Sequence, residues 1–589
     1  MTLLPKINLR FDNIKYRSEI DGLRAFAVLS VVIFHFFPQL LPNGYLGVDL
    51  FFVISGFLIT SQLIDLKNKS IKDTLSYFYK RRIKRLFPAL FLSLTLSYLF
   101  VSLFFISDDV HSFEKSLFAA YTFWANFFFW HDGGYFGGSD QLKPLLHIWS
   151  VSVEEQFYLI YPFILVLMIT LNQKIKYLIT FTLVLFTIIS FVLWLYLNSI
   201  GGQNPAFFLL PTRIWQFGLG AILATTYGNL SFVKTSILAN RILFCMSVGL
   251  ISLGIFANIG FQLQALIVSI GAVGFIAFSH QKNSYLLSFF QSKLPIFFGK
   301  ISYSLYLYHW PIAVALNYYF TSKVPFFFSL LGVLVSFLLG LASFIWIENN
   351  FRYKFSFKVT ISFLILCLLC NSLIFFVNKR EEDYSLTNII AKASGSFFEC
   401  SLHKMKPYGA SRACIINKSE TSDKIIVILG NSHAQMYTPL VSEVSPRSFN
   451  VLLVPLNGCL PTTSVNISSK CLQQAKKNLS SVLNNMNVQT VIIGTTWYAN
   501  KYVNSDGILV DKNNLKLAIE DLISEIKHSG KHPILFSPIA VPERDHASEL
   551  ARKLRFGQIT EQEVYDIIKF PRSEFDDKFG ELNLYFNNL

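Results

Sequence analysis

Arg24-Ala25-Phe26-Ala27-Val28-Leu29-Ser30-Val31-Val32-Ile33-Phe34-His35 sets an arginine at the head of an apolar run and a histidine deep inside it. Eleven residues at about 100° each make three turns plus about 20°, so both side chains share one helix face, roughly 16 Å apart along the axis. An ionisable residue within a membrane span is costly and marks a functional candidate. The plain alternative is a packed histidine bonded to a neighbouring carbonyl.

The rest of the chain fits a membrane setting. It has 589 residues, of which 52% are hydrophobic, and a mean hydropathy of +0.45. That is too apolar for a soluble protein. Apolar runs lie at 22–40, 46–66, 86–106, 148–170, 177–197, 211–228, 238–257, 262–280, 300–319, 325–347 and 358–377, which predicts about eleven spans. An aromatic run at 115–130 is shorter and reads as a re-entrant or interfacial piece. The net charge of +15 marks cytoplasmic loops here rather than a nucleic-acid partner. No cleavable signal peptide is evident in the polar, basic first residues.

Loop charges orient the bundle. Lys6, Arg10, Lys15 and Arg17 precede the first span, and Lys80, Arg81, Arg82, Lys84 and Arg85 precede the third. The loops on the other side carry little beyond Lys115, Lys143 and Lys323. The N-terminus is therefore expected inside, and an odd number of spans puts everything after about residue 378 outside. Cysteines point the same way. Cys245, Cys367 and Cys370 lie in apolar segments, whereas Cys400, Cys414, Cys459 and Cys471 all follow the last span. Their spacings suggest Cys400–Cys414 and Cys459–Cys471, although four cysteines allow three pairings. Disulfides imply an oxidising compartment such as the periplasm. No CxxC or Cys/His spacing suggests a metal.

From residue 424 the pattern becomes strands alternating with helices, with strands at 424–429, 451–454, 489–493 and 533–537. Such alternation predicts a doubly wound α/β sheet. The expected fold is thus a multi-span α-helical membrane bundle of about ten plus one helices, followed by an α/β doubly wound, flavodoxin-like domain. The expected boundaries are 1–355 for the main bundle, 356–378 for an additional helix, 379–422 for an extracytoplasmic linker and 423–589 for the outer domain.

Several polar groups recur in or near spans. Phe51-Phe52-Val53-Ile54-Ser55-Gly56-Phe57 allows close helix approach at its Ser-Gly pair. His147-Ile148-Trp149-Ser150-Val151-Ser152-Val153-Glu154-Glu155-Gln156-Phe157-Tyr158 opens the fourth span. Its two glutamates are expected near the depth of His35. They point about 100° apart, so one faces a shared site and the other pairs with an arginine such as Arg213. Tyr306-Leu307-Tyr308-His309-Trp310-Pro311 places a histidine near mid-membrane.

These motifs, with Asp21-Gly22-Leu23-Arg24 and Arg81-Arg82-Ile83-Lys84-Arg85-Leu86-Phe87-Pro88, resemble the acyltransferase-3 family and recur in order over roughly residues 15–355. The resemblance implies a bacterial inner-membrane O-acyltransferase that moves acyl groups, usually acetyl, from cytoplasmic acetyl-CoA onto glycans outside, such as O-antigen or other lipopolysaccharide sugars, exopolysaccharide or peptidoglycan. It implies that Arg24 and His35 are the essential pair, with Glu154 a further catalytic candidate. Arginine suits phosphate, so Arg24 is expected to hold the nucleotide end; Arg81, Arg82 and Arg85 either add phosphate contacts or serve as a plain positive-inside anchor. A pantetheine arm is of the same order as the roughly 16 Å to His35, which then meets the thioester as general base or acyl carrier. His309 is expected against substrate. A transporter of acyl donor or lipid-linked sugar, with His and Glu as proton relays, is the competing class.

In the outer part, Ile428-Leu429-Gly430-Asn431-Ser432-His433-Ala434 places Ser432 at a strand-to-helix turn. It resembles the first block of SGNH hydrolases, usually Gly-Asp-Ser. Asn457-Gly458-Cys459 resembles the block whose glycine, here Gly458, supplies an oxyanion-hole amide, and Gly494-Thr495-Thr496-Trp497 occupies the third-block position, with Trp497 a substrate candidate. Two departures stand out. Position 431 is asparagine, and no Asp-x-x-His follows Ser432; Glu543-Arg544-Asp545-His546 is the nearest approach. The chain reads as stopping before the final strand and helix, so the outer domain is expected either to be C-terminally incomplete, with an inactive truncated remnant as a further reading, or to have lost its hydrolase-type chemistry; in each case Ser432 lacks its base.

Overall fold

The computed structural model describes residues 16–66, 70–131, 141–171, 178–226, 236–279, 285–321, 323–378, 404–456, 458–497, 502–511, 513–537, 546–560, 562–564 and 572–587. Two compact units emerge, Met1–Glu382 and Asp383–Leu589.

The first unit is helical. In chain order its helices are α1 Ser18–Phe36, α2 Gly47–Asp65, α3 Ile71–Phe104, α4 Ser107–Tyr121, α5 Ala125–His131, α6 Ile148–Leu171, α7 Leu178–Ser199, α8 Gln203–Phe208, α9 Ile214–Thr226, α10 Ile237–Phe256, α11 Phe261–Phe278, α12 Tyr285–Phe290, α13 Lys293–Phe320, α14 Phe326–Ser343 and α15 Phe357–Asn378. Among the described residues, eight helical segments are long and apolar enough to cross a membrane. Each of the eleven apolar runs read from the sequence overlaps a helix, but the runs at 22–40, 211–228 and 300–319 fall on α1, α9 and α13, which are not among those eight. The aromatic run at 115–130 splits between α4 and α5, which turn at the positive-φ residue Phe123. The basic cluster before the third apolar run is no loop but the first half of the 34-residue α3.

Two close approaches set the packing. A Cβ on Gly299 of α13 would stand 1.9 Å from the Asp21 carbonyl oxygen of α1, and one on Gly56 of α2 would stand 1.9 Å from the Phe217 carbonyl of α9. Only glycine lets these backbones meet. Since Gly299 meets Asp21 and His309 meets His35, α1 and α13 run side by side in the same direction. Past Ser343, α14 widens into π-helical turns, Phe344–Glu348 and Asn350–Lys354. Such turns re-aim side chains, and here they carry the buried Glu348.

The second unit holds a six-stranded sheet in the order β1-β2-β4-β3-β6-β9. The strands are β1 Met405–Tyr408, β2 Ser411–Asn417, β3 Ile425–Gly430, β4 Asn450–Pro455, β6 Val488–Gly494 and β9 His532–Leu535; a small second sheet joins β5 Val465–Asn466, β7 Tyr502–Asn504 and β8 Leu509–Val510. β3 runs parallel to β4 and β6, and β6 to β9. Helices α16 Ser432–Val444, α17 Ser469–Leu483, α18 Asn513–His528, α19 His546–Arg555 and α20 Arg572–Asn587 complete it. The core divides between the sheet's faces, with Val427, Val491 and Leu522 in one cluster and Ile428, Ala434 and Val451 in the other.

One expectation is corrected. Residues 405–417, read as linker, form a β1–β2 hairpin on the sheet edge, with Cys414 opposite Leu453 of β4. The reason is local: the run Ala413-Cys414-Ile415-Ile416 buries Ala413 and Cys414 completely or nearly so.

Candidate active site

Three histidines from three helices meet in the bundle. His35 Nδ1 lies 3.0 Å from His309 Nε2, and the His147 and His309 rings are 5.7 Å apart. Carbonyls fix the tautomers, because a carbonyl only accepts. His309 Nδ1 is 2.6 Å from the Tyr306 carbonyl and must donate to it. Its Nε2 is then the acceptor, so His35 donates through Nδ1, which leaves Nε2 of His35 as the unprotonated nitrogen. Trp310 packs edge-on against His35 at 4.4 Å and is held by its indole N–H on the Lys143 carbonyl at 2.8 Å.

Pro311 explains how His147 joins them. A proline inside a helix has no N–H for the carbonyl four residues back, which here is Leu307. His147 Nε2 takes that carbonyl at 3.2 Å. Its other nitrogen, Nδ1, is buried with no hydrogen-bond partner.

A pocket enclosing about 750 Å3, part of it open to solvent, lies beside this cluster. Arg24, Arg82 and Arg85 line it, with Ser55, Glu154 and Tyr158 opposite, and Ser150 and Tyr306 also reach its wall. Arg82 and Arg85 are three apart on α3 and share a face. The Arg82 guanidinium sits 3.5 Å from the Tyr158 ring centroid. Tyr158 donates to Ser55 Oγ at 2.8 Å, and Ser55 donates to Glu154 at 2.9 Å. Arg85 Nε is 3.8 Å from Glu348, which also accepts from Ser304 at 3.0 Å. Arg24 pairs with Asp21 at 3.3 Å. Yet Arg82 Nε, Arg85 Nε and Ser302 Oγ are buried with no hydrogen-bond partner. Buried donors in that state call for acceptors, and phosphate oxygens supply them.

Pocket and histidines are joined at Tyr306. Its hydroxyl is 2.7 Å from Ser150 Oγ, and the two hydroxyls lie 3.1 and 3.2 Å from the His147 carbonyl, so one of the pair donates to the other and the other donates to that carbonyl. Among the described residues, no group of three His, Cys, Asp or Glu is arranged to hold a metal ion.

Several expectations change. Arg81 is exposed, bonds Tyr77 and does not line the pocket. Glu154 lies among the arginines rather than level with His35, because it is two turns and about 10 Å beyond His147 along α6. Glu155 does not line the pocket. Arg213 pairs with Asp49 at 3.0 Å, not with a glutamate, and Gln216 completes that buried group at 2.5 Å. His309, expected against substrate, is the hydrogen-bond partner of His35.

In the second unit, Ser432 opens α16 directly after the central strand β3; its side chain lies outside the described residues. Asn431 replaces the usual aspartate without loss of order. Its Oδ1 caps the His433 N–H at 3.1 Å while its Nδ2 donates to Thr496 Oγ1 at 2.7 Å, a donation no carboxylate can make. Gly458 sits exposed at φ +81°. Trp497 does not face a ligand: it is 1% exposed, in the core, and donates to the Phe536 carbonyl at 3.0 Å. Cys459 and Cys471 form a disulfide and Cys414 is disulfide-bonded; Cys400 lies outside the described residues, as do Asn457, Glu543, Arg544, Asp545 and the side chain of His546.

A family model described as an acyltransferase domain matches residues 17–348, more than half of the chain. The chain belongs to the acyltransferase-3 family. A second model, described as an SGNH domain fused to such acyltransferase domains, matches residues 399–589. The O-acetyltransferase OatA of Staphylococcus aureus strain NCTC 8325 is 34% identical over 353 residues, 58% of this chain and 58% of that protein. OatA of strain MRSA252 gives the same figures, and a further protein, of strain MSSA476, is 32% identical over 362 residues. The chain spans a little over half the length of the curated relatives it matches. No solved structure matches it significantly.

For this acyltransferase-3 chain, sequence reasoning missed the Ser55–Tyr158 pair, Tyr306, and His147 as a member of the cluster. A signal for His147 existed: Pro311 vacates a carbonyl, and a buried carbonyl needs a donor.

Proposed function

We propose that this protein transfers an acetyl group from cytoplasmic acetyl-CoA to a hydroxyl of a cell-surface glycan, and that it sits in the bacterial inner membrane with its N-terminus cytoplasmic and its SGNH part periplasmic. Residues 1–355 perform the transfer, and the helix after them tethers the outer part. Arg24, Arg82 and Arg85 take the phosphates of the donor. The pantetheine arm follows α1, and the thioester carbonyl meets Nε2 of His35.

From there His35 acts as acyl carrier or as base. As carrier, Nε2 forms a bond to the carbonyl carbon, the C–S bond breaks and CoA leaves as thiolate. The Nδ1 proton of His35 then moves to Nε2 of His309, whose own Nδ1–H stays on the Tyr306 carbonyl. Acceptor sugars of lipopolysaccharide, including O-antigen, and of exopolysaccharide or peptidoglycan all present suitable hydroxyls. The outer unit binds the glycan, and Ser432, at its strand-to-helix turn, takes the acyl group where a base is supplied.

The observation that carries this reading is adjacency. A pocket whose Arg82 Nε and Ser302 Oγ have no hydrogen-bond partner has Tyr306 and Ser150 in its wall, and that hydroxyl pair reaches the backbone of His147, next to His309 and its partner His35. Proteoliposomes given radiolabelled acetyl-CoA on one face test it. A transferase releases free CoA on that face; a transporter moves label without releasing CoA, and that result overturns the reading.

A further inference from the structure

We infer that His147 is a second base of the reaction, the one that takes the proton from the acceptor hydroxyl; the inference rests on the transfer reading above. His147 is 3% exposed, and its Nε2 hydrogen is committed to the Leu307 carbonyl at 3.2 Å. That commitment makes Nδ1 a lone pair. It is buried and has no hydrogen-bond partner, in a bundle where the other two ring nitrogens facing the cluster, His35 Nδ1 and His309 Nε2, satisfy each other at 3.0 Å. A buried acceptor left without a donor is costly. A hydroxyl group supplies the donor it lacks.

Placement agrees. The His147 ring is 5.7 Å from His309 and 5.6 Å from Tyr306. Its backbone carbonyl lies within hydrogen-bond distance of the Tyr306–Ser150 hydroxyl pair and its ring is held on the Leu307 carbonyl, so backbone and ring are both positioned before any substrate arrives. His35 and His309 are occupied by the donor half of the reaction. In the carrier form His309 has already accepted the His35 proton and is no base for the second half, which therefore needs another.

The step balances. The acceptor hydroxyl hydrogen-bonds to Nδ1 of His147 and its oxygen attacks the acetyl carbonyl carbon on His35. The new C–O bond forms and the C–N bond to His35 Nε2 breaks. The hydroxyl proton goes to His147 Nδ1, and the proton held by His309 returns to Nδ1 of His35. His147 then loses its proton to water as the ester departs.

His147→Gln is the informative variant, because the glutamine amide still donates to the Leu307 carbonyl while the basic lone pair is gone. Full-length protein in proteoliposomes receives [acetyl-14C]acetyl-CoA with either oxygen acceptors, water and glycerol, or hydroxylamine, which is a strong nucleophile without a base. Wild type is expected to transfer label to both kinds of acceptor and His35→Ala to neither; transfer at wild-type rate by His35→Ala overturns the underlying reading rather than this one. H147Q is expected to acetylate hydroxylamine within about twofold of wild type while transfer to oxygen acceptors falls about 100-fold, the scale of a lost general base. Equal loss on both acceptors assigns His147 to packing or to the donor half, and unchanged transfer to both leaves it no part in the chemistry; either result overturns the inference.

Discussion

Nδ1 of His35 stands 3.0 Å from Nε2 of His309, and the far nitrogen of His309 is anchored on the Tyr306 carbonyl at 2.6 Å. That chain of two bonds orients the His35 ring and gives its Nδ1 proton a place to go. Replacing His309 with alanine removes both effects and leaves the arginine pocket untouched. His309→Ala is expected to lower kcat by about 100-fold or more with the KM for acetyl-CoA changed little, as steady-state CoA release measures.

Arg82 and Arg81 are neighbours with different surroundings. Arg82 lines the pocket over the Tyr158 ring, whereas Arg81 is exposed beside Tyr77. A hydrogen bond to a charged group contributes about 1.5–3 kcal/mol, so Arg82→Ala is expected to raise the KM for acetyl-CoA by about 10- to 100-fold. Arg81→Ala is expected to stay within about twofold. Dephospho-CoA esters add a check, since loss of a phosphate contact narrows the gap between the two donors in the Arg82 variant.

Gly299 holds the α1–α13 approach that brings the two histidines together. A methyl group there would lie 1.9 Å from the Asp21 carbonyl oxygen. The helices must part, at about 1–3 kcal/mol for an overpacked contact. Gly299→Ala is expected to lower the thermal midpoint in detergent and to lower activity together, while an alanine at exposed Gly249, whose Cβ would meet nothing within 4 Å, does neither through contact.

The Cys459–Cys471 disulfide closes a sequence separation of 12 residues and pins the Gly458 turn to α17. A loop of this size stabilises by about 2–4 kcal/mol. Cys459→Ser with Cys471→Ser is expected to make the outer unit more susceptible to limited proteolysis, with membrane-bundle fragments unchanged.

Burial holds the His433 imidazole below the ordinary histidine range. In the unfolded chain this group takes up its proton near pH 6.5, before the folded protein does. Stability of the outer unit therefore falls as pH drops through about 6.5 towards the lower folded value, and levels off below it. Hydrogen exchange of the β3–α16 segment is expected to quicken between pH 7 and 5 beyond the intrinsic rate change in wild type, and less so in His433→Gln.

Much of the fold was legible because its signals are local. Apolar runs marked the helices, and β-rich runs at 424–429 and 489–493 marked the parallel strands within a residue or two. The hairpin at 405–417 was missed because its pairing partner, β4, lies some forty residues away in the chain. At the site, Arg24 and His35 declared themselves by spacing on one helix. The depth of Glu154 and the acid that pairs with Arg213 are not legible in the sequence, since both depend on the rotation and depth of separate helices. Asp49, the actual partner, sits at the start of α2 among apolar residues, where its charge is balanced only once α9 packs beside it.

The central claim is that His35 is where the thioester reacts, fed by the arginine pocket. Release of free CoA from acetyl-CoA by full-length protein in proteoliposomes, compared between wild type and His35→Ala at equal membrane insertion, tests it most directly. Wild type is expected to release CoA, and His35→Ala to fall to the uncatalysed background while still binding acetyl-CoA. CoA release by His35→Ala at the wild-type rate would contradict it.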